Sequence, residues 1–286
     1  MSQRATTLLL WTLSVLIMIG AATWQRMTGP THPRRGETTV AGEPTIHWRL
    51  LRSGTSGEPF RVSIPAVQRI QGSVDYRRYP TNEPFVSLPM EREGDVFVAL
   101  LPSQPPAGKL EYRIRLSTLG GSIFIPSDQP VVMRFKGDVP AGILIPHIVL
   151  MFFAMMIGVR AALAAAVGRP ESKRYAWVAL VGITLGGLVL GPIVQKFAFG
   201  AYWTGWPFGG DLTDNKTAAM WLAWLVAAIV LARVPVELRA ARATVIVAAL
   251  VTIAVYLVPH SLRGSQLEYQ QLDAGGNARE AISTGQ

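Results

Sequence analysis

Apolar residues in this chain fall into long unbroken blocks near its two ends and into short alternating runs between them. Thr6 to Thr23 is almost wholly apolar, and after a long polar insert come Ile143 to Val167, Trp177 to Val194, Ala218 to Ala232 and Val245 to Val258. Each approaches the roughly 20 residues with which a helix crosses a bilayer. The first block follows Arg4 and fits either an uncleaved signal anchor or a secretory signal peptide, with Gly20-Ala21-Ala22 as small residues for cleavage. Its length and the Trp24 that ends it favour the anchor.

The insert, residues 36–138, follows a different rule. Thr45 to Leu51, Phe60 to Val67, Ser73 to Tyr79, Phe85 to Leu88, Val96 to Leu101, Leu110 to Leu116, Ile123 to Ile125 and Val131 to Phe135 read as strands, separated by turn residues such as Arg92-Glu93-Gly94-Asp95. Alternation puts Leu110, Tyr112, Ile114 and Leu116 on one face. Seven or eight strands in about 100 residues predict an immunoglobulin- or fibronectin-like β-sandwich. The fold expected is therefore an α-helical bundle of about five transmembrane helices with an inserted extracytoplasmic sandwich. Its parts are an anchor and linker (1–35), the sandwich (36–138), a four-helix membrane module (139–260) with a connector at 195–217, and a polar tail (261–286).

Charge sets the direction. The connector after Val167 carries Arg169, Lys173 and Arg174, and the one after Leu231 carries Arg233, Arg239 and Arg242. By the positive-inside rule these short loops, and the N-terminus, lie in the cytoplasm of a bacterial-type inner membrane. Arg26, Arg34 and Arg35 lie on the side assigned as outer, where a long translocated segment weighs less. The net charge of +9 is dispersed rather than gathered into a stripe, so nucleic acid is not an expected partner. With no cysteine, disulfides, thiolate sites and covalent haem attachment are excluded.

Candidate chemistry gathers at one membrane face. The connector from Gln195 to Trp224 holds Trp203, Trp206, Trp221 and Trp224 among Lys196, Asp211, Asp214 and Lys216. His147, after Pro146, and His260, after Pro259, end spans at the same depth, where an imidazole can ligate a metal or haem iron. Each is also an ordinary span-end residue. Thr213 or Asp214 suits the N-cap of the following helix, and Asp211, Thr213, Asp214 and Asn215 lack the spacing of a calcium loop. Gly182, Gly186, Gly187 and Gly191 predict close helix packing, while Met151, Met155 and Met156 suit adaptable packing. The insert holds no catalytic constellation, and Arg77-Arg78 reads as a solvated strand face. No acid lies within the spans, which disfavours a pump.

Phe199-Gly200-Ala201-Tyr202-Trp203, Trp206, Asp211 and the run Ala218 to Val230 resemble the Trp-rich segment of the haem-handling membrane proteins of cytochrome c maturation. His147 and His260 stand where that family has its flanking pair. The resemblance implies haem b held by His147 and His260 over a Trp203/Trp206 platform, with Lys196 on a propionate. Against it stands the plainer expectation: a non-enzymatic binding, scaffold or accessory protein in the bilayer, holding a protein partner at its outer face.

Overall fold

A computed structural model describes residues 2–40, 42–68, 70–118, 120–260, 264–278 and 280–283. Five helices are long and apolar enough to cross a membrane: Gln3–Thr28 (α1), Ala141–Ala166 (α2), Ser172–Phe199, Leu212–Arg233 (α5) and Arg239–Leu257 (α6). The third is composite, with Ser172–Ile183 (α3) passing through a π-helical stretch, Thr184–Leu190, into Gly191–Phe199 (α4). Each predicted apolar block falls on one of these helices to within a residue of its end.

The bundle packs through small residues, because lipid tails offer no solvent penalty to drive larger ones together. Ala154, Ala161, Ala165, Ala176, Ala179, Ala227, Ala228 and Ala248 are fully or almost fully buried. The predicted glycine seam is real: a Cβ on Gly182 would stand 2.9 Å from that of Ala154, and one on Gly187 would stand 2.8 Å from the Thr217 methyl. Arg160 is buried near the far end of α2, where Glu171 approaches to 3.6 Å and the rings of Tyr175 and Trp11 lie 4.8 and 5.4 Å away. Ring faces thus replace much of the water this cation has lost.

Between α1 and α2 lie eleven strands: Arg34–Thr38 (β1), Ile46–Leu50 (β2), Ser53–Thr55 (β3), Phe60–Pro65 (β4), Gln71–Arg78 (β5), Val86–Pro89 (β6), Glu91–Glu93 (β7), Val96–Leu101 (β8), Lys109–Thr118 (β9), Gly121–Ile125 (β10) and Val131–Lys136 (β11). A six-stranded sheet runs β3-β11-β9-β5-β6 with β10 also on β9, a three-stranded sheet runs β4-β8-β7, and β1 pairs β2. Both larger sheets feed one core. All eight predicted strands coincide with observed ones; the short β1, β3 and β7 lack enough alternation to be seen in sequence. Leu110, Tyr112, Ile114 and Leu116 are all fully buried, each aliphatic one worth about 1.5–3 kcal/mol. The Tyr112 hydroxyl donates to the Leu51 carbonyl at 2.8 Å, so its burial leaves no polar atom stranded.

The opposite face of β5 and β9 is ionic. Buried Asp75 accepts from Arg115 at 2.5 Å, and Arg77 pairs with Glu111 directly across the ladder. The expectation of a solvated Arg77-Arg78 face is therefore corrected: Arg77 is taken by Glu111, and Arg78 by Glu83 and by Asp273.

Asp273 belongs to the tail, which folds back rather than trailing away; residues 261–263, 279 and 284–286 of it lie outside the described residues. Gln266–Leu267 (β12) pairs with Ile282–Ser283 (β13), and a short helix Tyr269–Asp273 (α7) lies between them. The Tyr269 hydroxyl accepts from the Lys109 amide at 2.9 Å and donates to the Lys109 carbonyl at 2.8 Å, while its ring lies under Arg78. The result is a strap across β5 and β9.

Hydrogen bonds from Arg78 hold the carboxyls of Glu83 and Asp273 below the usual carboxylate range. Acids depressed in the docked state support docking fully above their ordinary values and lose that support as pH falls through the shifted ones. Amide protection factors over residues 267–272 are expected to fall as pH drops from neutral to about 3. They should already be reduced at neutral pH in Asp273→Asn, and identical protection in the two proteins would refute this role for the pair.

Candidate functional site

Chain direction brings the end of α1, the start of α2, the turn from α4 to α5 and the end of α6 to the pole of the bundle that carries the β-domain. Domain and bundle touch there: the Gly137 amide donates to the Ala198 carbonyl at 2.9 Å, and Arg134 stacks over the Phe199 ring at 5.2 Å. A Cβ at Gly137 would collide with the Phe197 carbonyl, so only glycine permits this approach.

The connector is shaped by the first turn of α5. Gly200 ends α4 with φ of 88°, a left-handed cap that glycine adopts without strain, and Lys196 donates to its carbonyl at 2.7 Å. Asp211, not Thr213 or Asp214, is the N-cap, accepting from the Thr213 amide at 2.8 Å; its other oxygen accepts from Thr204 Oγ1 and the Ser265 amide. Asp214 instead reaches back to the connector, accepting from the amides of Thr204 at 2.6 Å and Gly205 at 3.0 Å, and Asn215 accepts from the Trp206 amide at 2.6 Å. One carboxylate and one side-chain amide thus clamp three consecutive residues. Beyond the clamp, Trp206 and Phe208 stand 77% and 75% exposed, and Tyr202 is exposed beside them.

Beneath the connector lies a cavity of about 140 Å³, walled by Arg134 from β11, His147 from α2, Gln195 and Phe199 from α4, Asp211 and Asp214, and His260 beyond α6. Its two imidazoles are set in opposite tautomers. His147 Nδ1 lies 2.8 Å from the Gly186 carbonyl, which can only accept, so Nδ1 carries the proton and Nε2 is left as an acceptor. That carbonyl belongs to the π-helical stretch and also takes the Gly191 amide five residues on. His260 Nδ1 lies 2.8 Å from the Gln25 side-chain nitrogen, which can only donate, so Nδ1 accepts and Nε2 carries the proton. One face of His260 is exposed, yet burial of the rest, with Lys216 and His147 nearby, pushes it down to about 4 and keeps it neutral. Lys216 donates to the Val258 and Pro259 carbonyls at 2.7 and 3.3 Å and so fixes the turn that presents His260.

Of the residues singled out in sequence, His147 and His260 meet at this cavity, while Trp203, Trp206 and Lys196 do not line it. Trp203 donates to the Trp206 carbonyl at 3.1 Å, and Lys196 lies on a separate groove with Tyr202 and Ile282. Trp221 and Trp224 are structural, donating to Thr184 at 3.0 Å and Thr252 at 2.8 Å. Among the described residues no three His, Asp or Glu side chains converge to hold a metal ion. Sequence reasoning missed Arg134 and Gln195. Arg134 occupies an outward position of β11, between core-facing Met133 and Phe135, and only the docking of the domain turns that position into a cavity wall. Compared with known protein families and with curated proteins, the chain matches none.

Proposed function

We propose that this is a non-enzymatic, multi-pass inner-membrane protein that holds a protein partner at its outer face, as a scaffold or accessory subunit. On this reading the domain is an immunoglobulin- or fibronectin-like sandwich outside the membrane, and the N-terminus and the basic turns around 169–174 and 233–242 are cytoplasmic. Arg34, one of the cations that falls on the outer side, is paired with Asp128 at 2.9 Å and so weighs little against this direction.

The observation that carries the reading is the clamped connector. A belt residue needs only to reach the headgroups, whereas the backbone under Trp206 is pinned at three successive amides. Rigid, exposed aromatics lose little entropy on contact and are the residues that dominate protein interfaces. The haem alternative draws on the shared cavity of His147 and His260. Its 140 Å³ is well below the roughly 300–1,000 Å³ of sites for drug-sized ligands, and a tetrapyrrole needs at least that. The size of the cavity therefore favours the partner reading over haem.

A photo-crosslinking amino acid at position 206 or 208 is expected to yield an adduct with a protein of one defined mass. The double change Trp206→Ala with Phe208→Ala should weaken recovery of that same protein by about 30-fold or more, as for a hot spot. Adducts with lipid alone would discard the reading in favour of a membrane belt.

A further inference from the structure

The cavity under the connector contains an imbalance that the partner-binding reading does not use. Its acids are already engaged: Asp211 accepts three hydrogen bonds, and Asp214 accepts two backbone amides. Both also sit at the N-terminus of α5, whose dipole offsets negative charge. Lys216 is engaged by two carbonyls. Arg134 is not engaged. Its guanidinium stacks on Phe199 and feels the charge of Asp211, but among the described residues it makes no side-chain hydrogen bond and has no carboxylate within ion-pair distance. Arg134 is half-buried on the cavity wall, so its five N–H donors are open to an acceptor that enters the cavity. A second cation, Lys109, lies close enough that burial and then Arg134 push it down to about 8.

The imidazoles complete the pattern. His260 presents a neutral N–H and His147 a bare nitrogen, each fixed by the partner on its other side. At roughly 30 Å³ per water, the cavity holds about four or five water molecules' worth of ligand. Cations of this shape favour carboxylate and phosphate, which match the guanidinium fork.

We propose that this cavity binds a small oxyanion, a carboxylate or a phosphate group, gripped by Arg134 and the Nε2–H of His260, with His147 Nε2 placed to accept from the hydroxyl when the group is a singly protonated phosphate. The site requires the β-domain and the bundle together, since Arg134 comes from one and both histidines from the other. It is independent of Trp206 and Phe208.

The test uses full-length protein in detergent at constant ionic strength, with inorganic phosphate and acetate as probes against chloride. Phosphate or acetate should raise the melting temperature saturably, and Arg134→Gln should weaken the half-saturating concentration at least tenfold, with His260→Ala intermediate. Native mass spectrometry separates the sources: a retained phospholipid that is lost in Arg134→Gln, without any response to free phosphate, puts the oxyanion on a headgroup. Should Arg134→Gln fail to fold, ³¹P saturation transfer on the wild-type protein, displaced by acetate, carries the same information. Equal responses to chloride and phosphate with no retained phospholipid, undiminished binding by Arg134→Gln, or no transfer in a wild type that also retains no phospholipid would overturn the site.

Discussion

Replacing Trp224 with alanine is expected to destabilise the helical bundle by about 3–5 kcal/mol, the cost of a large buried aromatic. The indole is fully buried, and its ring lies so close to α2 that a Cβ on Gly158 would stand 2.6 Å from Cζ2. Its Nε1 donates to Thr252 at 2.8 Å, so one side chain joins α2, α5 and α6. In lipid the loss is one of packing rather than solvent transfer, since the ring's contacts with α2 and α6 go with it. Trp224→Phe should cost much less, because Thr252 still donates to the Ala248 carbonyl at 2.9 Å. Gly158→Ala alone should also destabilise, through overpacking, and should be less harmful in the Trp224→Ala background, where its methyl enters the void. Equilibrium unfolding in mixed detergent micelles reads all four proteins; a loss below about 1 kcal/mol for Trp224→Ala would contradict this role.

Asp214→Ala should release the connector without unfolding the bundle. Two buried amides, Thr204 and Gly205, lose a charged acceptor, and a hydrogen bond of that kind is worth about 1.5–3 kcal/mol. Protection of these two amides from exchange should fall by roughly 100-fold or more, while that of α2 and α6 is unchanged. Asp214→Asn keeps an acceptor and should lose less. Gly205→Ala should mimic Asp214→Ala from the other side, since its Cβ would stand 2.5 Å from that of Asp214. Full protection in Asp214→Ala would show that the connector is held by something else.

The helices and the strands were legible because their signals are local. A block of twenty apolar residues or a two-residue alternation is decided by solvent on either side of the same segment, and Leu110 to Leu116 carries its burial in its own order. The candidate site was half legible. His147 and His260 could be placed together because topology alone brings span ends to one pole. Arg134 could not, since on β11 it obeys the rule for a solvent-facing residue and changes meaning only when Gly137 lets the domain settle on α4. The aromatic connector misled in an instructive way: its indoles share a stretch with Asp211 and Asp214, but those carboxylates turn inward to hold the backbone while Trp206 turns out. The strap was hidden because Asp273 and Arg78 are 195 positions apart, and neither segment announces a partner.

That separation bears on how the molecule is made. The β-domain precedes four of the five long helices in sequence, yet the second carboxylate on Arg78, Asp273, and the phenol that engages Lys109 follow the last of them. Without the segment from Tyr269 onward, Arg78 would keep Glu83 alone and the Lys109 backbone groups would lose the Tyr269 hydroxyl. Sealing of this strand is thus tied to a segment that lies beyond all five long helices in sequence.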